Sequence, residues 1–205
     1  MKISVENVSK RFLNNSIFRN VSLNFETGQS YALLGANGSG KSTLLRIIAG
    51  MQASTKGKVV YHNNEIEIAA ENIFCNVSFC APGMELIEEM SLKEMLQFHF
   101  KFKKILPGLT IDSIVALTGL KAAENKAIGE YSSGMKQRVK LAQAIFSDTP
   151  ILLLDEPCTN LDQHGNEQYR SWIDKYGGNR ILIVASNELR EYEFCQHQIK
   201  MEDLK

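Results

Sequence analysis

Gly35-Ala36-Asn37-Gly38-Ser39-Gly40-Lys41-Ser42 is the stretch on which the reading of this chain turns. It matches G-x-x-x-x-G-K-[ST]. The short apolar run Tyr31–Leu34 precedes it, and Ser42–Ala49 follows with helical spacing, closed by Gly50. An apolar run without alternation suits a strand buried on both faces. The glycines let successive backbone N–H groups turn inward as an anion-binding nest. A helix starting near Lys41 adds the positive end of its dipole. Lys41 can then reach β- and γ-phosphates, and the Ser42 hydroxyl suits Mg²⁺, which keeps several waters and bridges phosphate oxygens. A glycine-rich turn with a chance Lys-Ser is the plain structural alternative; the flanks argue against it.

A second stretch narrows the chemistry. Ile151-Leu152-Leu153-Leu154-Asp155-Glu156 is an apolar run ending in two acids. Unpaired buried charge is costly, so two carboxylates ending a buried strand are not there for stability. At the C-terminal edge of a parallel sheet they face the crevice where such folds bind ligands. Asp155 suits Mg²⁺, directly or through water. Glu156 suits a base or orienter for an attacking water. The alternative is a surface turn with two solvated acids.

Composition sets the bounds around these motifs. The chain has 205 residues, 44% hydrophobic and 22% charged, an ordinary globular composition that excludes a disordered chain. A chain of this length buries roughly 70% of the surface its unfolded form exposes and needs no disulfide staples. Lys+Arg and Asp+Glu are both 23, so no basic field draws it to nucleic acid or anionic lipid. Cys75, Cys80, Cys158 and Cys195 form no C-x-x-C pair, and they read as reduced thiols in a cytosolic protein. His62, His99, His164 and His197 lack ligand spacing and read as surface or ordinary core residues. Lys101-Phe102-Lys103-Lys104 reads as a solvated helix face, and Trp172 as packing. The N-terminus has no apolar segment of the secretory kind. No apolar run approaches the ~18 residues that suggest a membrane span.

The first sixty residues read mostly as strands. Val21, Leu23 and Phe25 alternate with polar residues, as in a half-buried strand, and Lys58–Tyr61 reads as another. From about Ser91 to Ser147 the spacing is helical: Leu92, Met95, Leu96 and His99 share one face, Ile111, Ile114, Val115 and Thr118 a second, and Val139, Ala142, Gln143 and Phe146 a third. Strand Ile151–Asp155, a helix near Asp162–Lys175 and strand Ile181–Ala185 follow. The alternation predicts an α/β fold with a mainly parallel sheet and an inserted helical lobe.

Three stretches now stand together. Gly35–Ser42, Tyr131-Ser132-Ser133-Gly134-Met135-Lys136-Gln137-Arg138 and Leu154-Asp155-Glu156-Pro157 have the order and spacing of an ABC-type ATPase, the nucleotide-binding domain of ABC transporters. The chain resembles that family over essentially its whole length. The resemblance implies one domain over 1–205, with a P-loop core, an N-terminal antiparallel β subdomain and a helical subdomain at about 83–148. It implies ATP and Mg²⁺ as cofactors. Two such domains, identical or not, would close head to tail on ATP, and a membrane-spanning permease would dock on them. The protein would then lie on the cytoplasmic face of a membrane, without a nucleic-acid partner.

By the same resemblance, Gly35, Asn37, Gly38, Ser39, Gly40, Lys41, Ser42 and Thr43 would hold the phosphates of ATP. Ser42 and Asp155 would hold Mg²⁺, and Glu156 would act on the water. Ser132 and Gly134, in a variant signature segment, would touch the γ-phosphate held by the opposite subunit. Ser132 or Ser133 also reads as a plain helix N-cap, and the two readings coexist. Phe12, 23 residues before Gly35, stands where the family stacks an aromatic on adenine; a core phenylalanine is the equal alternative. Thr159–Asp162 resembles the segment that crosses the dimer seam, with Asp162 near the nucleotide; a capped helix start is the alternative.

Three departures bear on activity. The segment Val77–Met84 carries no glutamine where the family has one on Mg²⁺. Ser186-Asn187 stands where the family has Thr-His, and the Asn187 amide donates a hydrogen bond but carries no proton. Met135 replaces a polar residue of the signature. If the histidine's interaction with the γ-phosphate is worth ~2–3 kcal/mol in the transition state, turnover without it falls on the order of 10²-fold. The expected activity is ATP hydrolysis powering a separate permease, in the export direction on the form of the signature. The alternative is a nucleotide-gated ABC switch, or a non-transport ABC protein, with weak ATPase activity.

Overall fold

The computed structural model describes residues 1–13, 15–64 and 66–204. Two sheets organise it. The first is antiparallel, in the order β2-β1-β4-β5, from β1 (Lys2–Phe12), β2 (Asn15–Glu26), β4 (Lys56–Asn63) and β5 (Ile66–Glu67). The alternation of Val21, Leu23 and Phe25 sets its register: Ile3 faces Phe25, Val5 faces Leu23 and Val8 faces Val21. A one-residue slip would turn these side chains to solvent.

The second sheet is parallel throughout, in the order β6-β7-β8-β3-β9. Its strands are β3 (Ser30–Leu34), β6 (Val77–Cys80), β7 (Ile151–Asp155), β8 (Ile181–Ala185) and β9 (His197–Lys200). The central strands β7 and β8 are buried along their whole length, which explains their unbroken apolar runs. Alternate residues feed two cores. Leu152, Leu154, Leu182 and Val184 face the helical side. Ile151, Leu153, Ile181 and Ile183 face α1 (Lys41–Ile48) and the antiparallel sheet.

Strands β6 and β9 have no clear sequence signal. In β6 a polar residue, Ser78, is buried, its hydroxyl 2.6 Å from that of Thr149. The pair satisfies both groups and masks the hydrophobic pattern. β9 is an edge strand of mostly exposed residues, as edges commonly are.

The helices start where their caps dictate. α2 (Leu92–His99) has a capping box between Ser91 and Glu94, and α3 (Ile111–Thr118) one between Thr110 and Ser113. α4 (Ser133–Ile145) is capped by Ser132, and α5 (Gln163–Tyr176) by Asp162. A short α6 (Leu189–Tyr192) follows β8. Arg180, 6% exposed, donates to the carbonyls of Ile145 (2.7 Å), Ser147 (3.0 Å), Gly177 (3.1 Å) and Tyr176. It thereby fastens the C-terminal ends of α4 and α5 together. Burial pulls its pKa down to about 10, still protonated at neutral pH. Trp172 packs edge-on to Phe146. All four cysteines are free, and only Cys75 is exposed. Among the described residues no helix is long and apolar enough to cross a membrane.

Candidate nucleotide site

Sheet register assembles the site. Leu33 of β3 and Asp155 of β7 both lie level with Ala185 of β8, the strand between them. The chain leaving β3 becomes the glycine loop, β7 ends in Asp155 and Glu156, and β8 leads to Asn187. Neighbouring strands are about 4.8 Å apart, so all three meet at the C-terminal edge of the sheet.

The glycines are required by shape. Gly40 caps α1 in the left-handed region, φ 106°, and a Cβ there would lie 2.5 Å from Ile17 Cγ2. A Cβ at Gly35 would lie 2.7 Å from Ser39 Oγ. That hydroxyl is buried and has no hydrogen-bond partner among the described residues, an open polar position within the anion cradle. The loop bounds a cavity of about 180 Å³ lined by residues 37–43, Ile17 and Glu156.

Lys41 is 4% exposed, and its ammonium donates to Gly35 O (2.6 Å), Ala36 O (3.3 Å) and Asn187 Oδ1 (3.0 Å). Burial lowers its pKa, and the charges of Glu156 and Asp155 oppose that shift. The Asn187 amide then donates to Asn37 Oδ1 at 2.7 Å. Both poles of Asn187 are thus engaged, one on the lysine and one on the loop. Ser42 Oγ donates to Asp155 Oδ1 at 2.9 Å. Asp155 is 3% exposed; burial raises its pKa and the Ser42 hydrogen bond pulls it back. Glu156 takes a left-handed backbone, φ 43°, with its N–H on Ala185 O at 2.9 Å. A non-glycine residue held there costs of order 1–3 kcal/mol, strain that clusters at functional sites. The bend lets adjacent acids diverge, Asp155 to Ser42 and Glu156 to the cavity.

The Ser42–Asp155 pair offers hard oxygen atoms of the kind Mg²⁺ takes, one or two from protein and the rest from phosphates and water. No group of three or more His, Cys, Asp or Glu side chains could hold a metal among the described residues. The oxygen pair fits Mg²⁺ carried with a nucleotide better than a closed metal cage.

A second cavity, of about 350 Å³, opens at the N-terminus of α4 and is lined by Ser132–Met135, Arg138 and Asn160–Asp162. Ser132 Oγ accepts from Met135 N at 3.3 Å. Asp162 caps α5 through Gly165 N (2.7 Å) and pairs with Arg138 (3.1 Å). Of the residues predicted for the nucleotide, Asn37–Thr43 line the first cavity and Ser132, Gly134 and Asp162 the second, while Gly35 shapes the loop without lining either. Phe12 belongs to neither lining. It is 48% exposed at the end of β1, with Lys10 Nζ 4.8 Å from its ring centre, so it is no core residue. Asn37 as the partner of Asn187, and Ile17 against Gly40, emerge only here. Neither carries a sequence signal: Asn187 reaches Asn37 through the register of the parallel sheet, and Ile17 meets Gly40 through the packing of the antiparallel sheet on the loop.

This is a P-loop nucleotide site on a parallel α/β sheet, with a second cavity at the N-terminus of α4. The comparisons extend that class to a family. The ABC transporter family model matches residues 18–159, and the chain belongs to that family. It is an ATP-binding protein of the family, in its nucleotide-binding domain, with the ABC-type ATPase fold. The uncharacterized ABC transporter ATP-binding protein YybJ of Bacillus subtilis is 35% identical over 97% of this chain and 92% of its own length. The sulfate/thiosulfate import ATP-binding protein CysA of Synechocystis is 32% identical over 85% of this chain; the match spans half of that protein's length. The dimeric, post-hydrolysis structure of the ATP-binding cassette MJ0796 bound to ADP and Pi superposes with a TM-score of 0.82 at 23% identity. That match covers 97% of this chain and 93% of the cassette.

Proposed function

We propose that the chain is the ATP-hydrolysing subunit of an ABC transporter, one domain over 1–205 with a helical subdomain at about 83–148. The observation that carries this is the cavity lined by Lys41, Ser42 and Glu156, with Asn187 hydrogen-bonded to Lys41 and Asp155 to Ser42. Gly35, Asn37, Gly38, Ser39, Gly40 and Thr43 cradle the phosphates beside Lys41. Ser42 and Asp155 would hold Mg²⁺, which supplies charge neutralisation across the phosphates. Glu156 orients a water in line with the γ-phosphorus. Attack forms a P–O bond and breaks the bond to the bridging oxygen, leaving ADP and inorganic phosphate. Ser132 and Gly134 of a second copy, or of a related subunit, complete the γ-phosphate site, with Asp162 at the seam and Phe12 on adenine. The partner is a membrane-spanning permease on whose cytoplasmic side the protein sits.

The variant signature Ser132-Ser133-Gly134-Met135 favours export; uptake of cargo into inverted vesicles carrying the complex is the matching measurement. Turnover is slow, because Asn187 cannot carry a proton and Val77–Met84 has no glutamine. The same two departures motivate a second reading, a nucleotide-gated switch that closes on ATP and hardly hydrolyses it. Phosphate release separates the readings. Glu156→Gln is expected to bind Mg·ATP and abolish release, whereas no release above background from the intact complex favours the switch. Lys41→Ala is expected to weaken Mg·ATP binding at least tenfold, through removal of a charged phosphate hydrogen bond worth about 1.5–3 kcal/mol. Parental affinity in that variant would overturn the site.

A further inference from the structure

The seven residues after β7 carry Glu156 to one cavity and Asn160–Asp162 to the other, so the shape of this turn sets both. Three bonds from outside fix it. Glu156 N donates to Ala185 O of β8 (2.9 Å), Gln137 Nε2 of α4 donates to Pro157 O (2.8 Å), and Cys158 N donates to Glu191 Oε1 of α6 (2.7 Å). Inside the turn, Thr159 N reaches Glu156 O (3.1 Å) and Leu161 N reaches Cys158 O (3.0 Å). Asn160 sits in the left-handed region, φ 64°, its carbonyl against Gly134.

Glu191 is the unusual member. It is 2% exposed; among the described residues it forms no salt bridge, and its Oε2 is buried without a hydrogen-bond partner. Its neighbour Arg190 pairs instead with Glu188. A carboxylate so placed is costly to bury. The short α6 that carries it is held by Tyr169, whose hydroxyl donates to Glu191 O at 2.9 Å. α6 also begins two residues after Asn187, so the turn and the segment bearing Asn187 share one anchor.

Resting on the ATPase reading above, we infer that Glu191 is a positioning residue: its carboxylate, gripping the Cys158 amide, holds the 156–161 turn so that Glu156 and the Asn160–Gly134 contact are aligned together. It touches neither nucleotide nor metal and acts through Cys158.

The test measures amide hydrogen exchange across residues 155–161 and steady-state ATP turnover, on the full chain with Glu191→Ala and Glu191→Gln. In Glu191→Ala, exchange at the Cys158 amide rises and kcat falls, each about tenfold, the equivalent of one charge-assisted hydrogen bond. KM for ATP stays within about twofold, because the phosphate cradle is untouched. Glu191→Gln restores both readouts to within about threefold, since its side-chain carbonyl accepts the same hydrogen bond. If Glu191→Ala does not fold, Glu191→Met keeps the volume without an acceptor and takes its place. Unchanged Cys158 exchange without the acceptor, failure of glutamine to rescue, or kcat and KM moving together would each overturn the inference. A parent chain without turnover would count against the ATPase reading instead, and the exchange measurement would still decide the role of Glu191.

Discussion

Gly134→Ala adds one methyl group at the start of α4, and the structure sets two effects against each other. The ideal Cβ lies 2.8 Å from the backbone oxygen of Asn160, closer than real Cβ atoms come to such a neighbour. About 0.6 Å must open before the approach is ordinary, and the atom in the way is backbone, so no side chain can rotate aside. Overpacking of this size destabilises by about 1–3 kcal/mol. Alanine in place of glycine in a helix offsets up to about 1 kcal/mol of that. With the full offset the net loss is about 0–2 kcal/mol, a fall in melting temperature of no more than roughly 4–8 °C for a chain of this size. The functional loss is larger in proportion. Asn160 shifts, the Arg138–Asp162 pair moves with it, and the second cavity changes shape. A 1 Å misplacement costs about 10²-fold, so roughly 0.6 Å predicts a loss of at least tenfold in turnover. Two measurements check this: a thermal melt with a steady-state phosphate assay, and ATP-driven dimerisation by size exclusion in a Glu156→Gln background. Turnover and dimerisation within about twofold of the parent would refute the reasoning, because the methyl group would then have found room without moving the turn.

Two further outcomes follow from buried charges. Arg180→Ala leaves four helix-end carbonyls without their donor, so we expect a loss of about 3–4 kcal/mol and a melting temperature lower by roughly 10 °C; a change under about 2 °C would show that water replaces the guanidinium at no cost. His99, whose Nε2 lies 3.0 Å from Ser147 Oγ, has its pKa lowered from 6.5 to about 4, first by burial and then by the charge of Lys103. The unfolded chain therefore binds the extra proton first, and stability is fully present above pH 6.5 and lost as pH falls toward 4, by up to about 3 kcal/mol. In His99→Gln the urea midpoint should fall less steeply across that window; an unchanged slope would remove His99 from the acid response.

The sequence alone determined the parts whose physics is local. A glycine-rich loop between an apolar run and a helical period is a phosphate nest wherever the chain takes it, so Gly35–Ser42 was legible within one window. Asp155 and Glu156 were legible because acids ending a buried run contradict burial. The buried strands β7 and β8 follow from their apolar runs, and the starts of α4 and α5 from propensity, which left the caps between Ser132 and Ser133 and between Asn160 and Asp162; the structure settles them as Ser132 and Asp162. Other features were settled by tertiary structure. β6 was hidden by the buried Ser78, which is satisfied only by Thr149, 71 residues away. Phe12 reads equally as an adenine-stacking aromatic or a core residue until the fold leaves it exposed. Asn187 meets Lys41 across 146 residues and Asn37 across 150, and Glu191 meets Cys158 across 33. No periodicity encodes such pairs. They arise because parallel strands align distant segments in register at one edge, and register is a property of the assembled sheet.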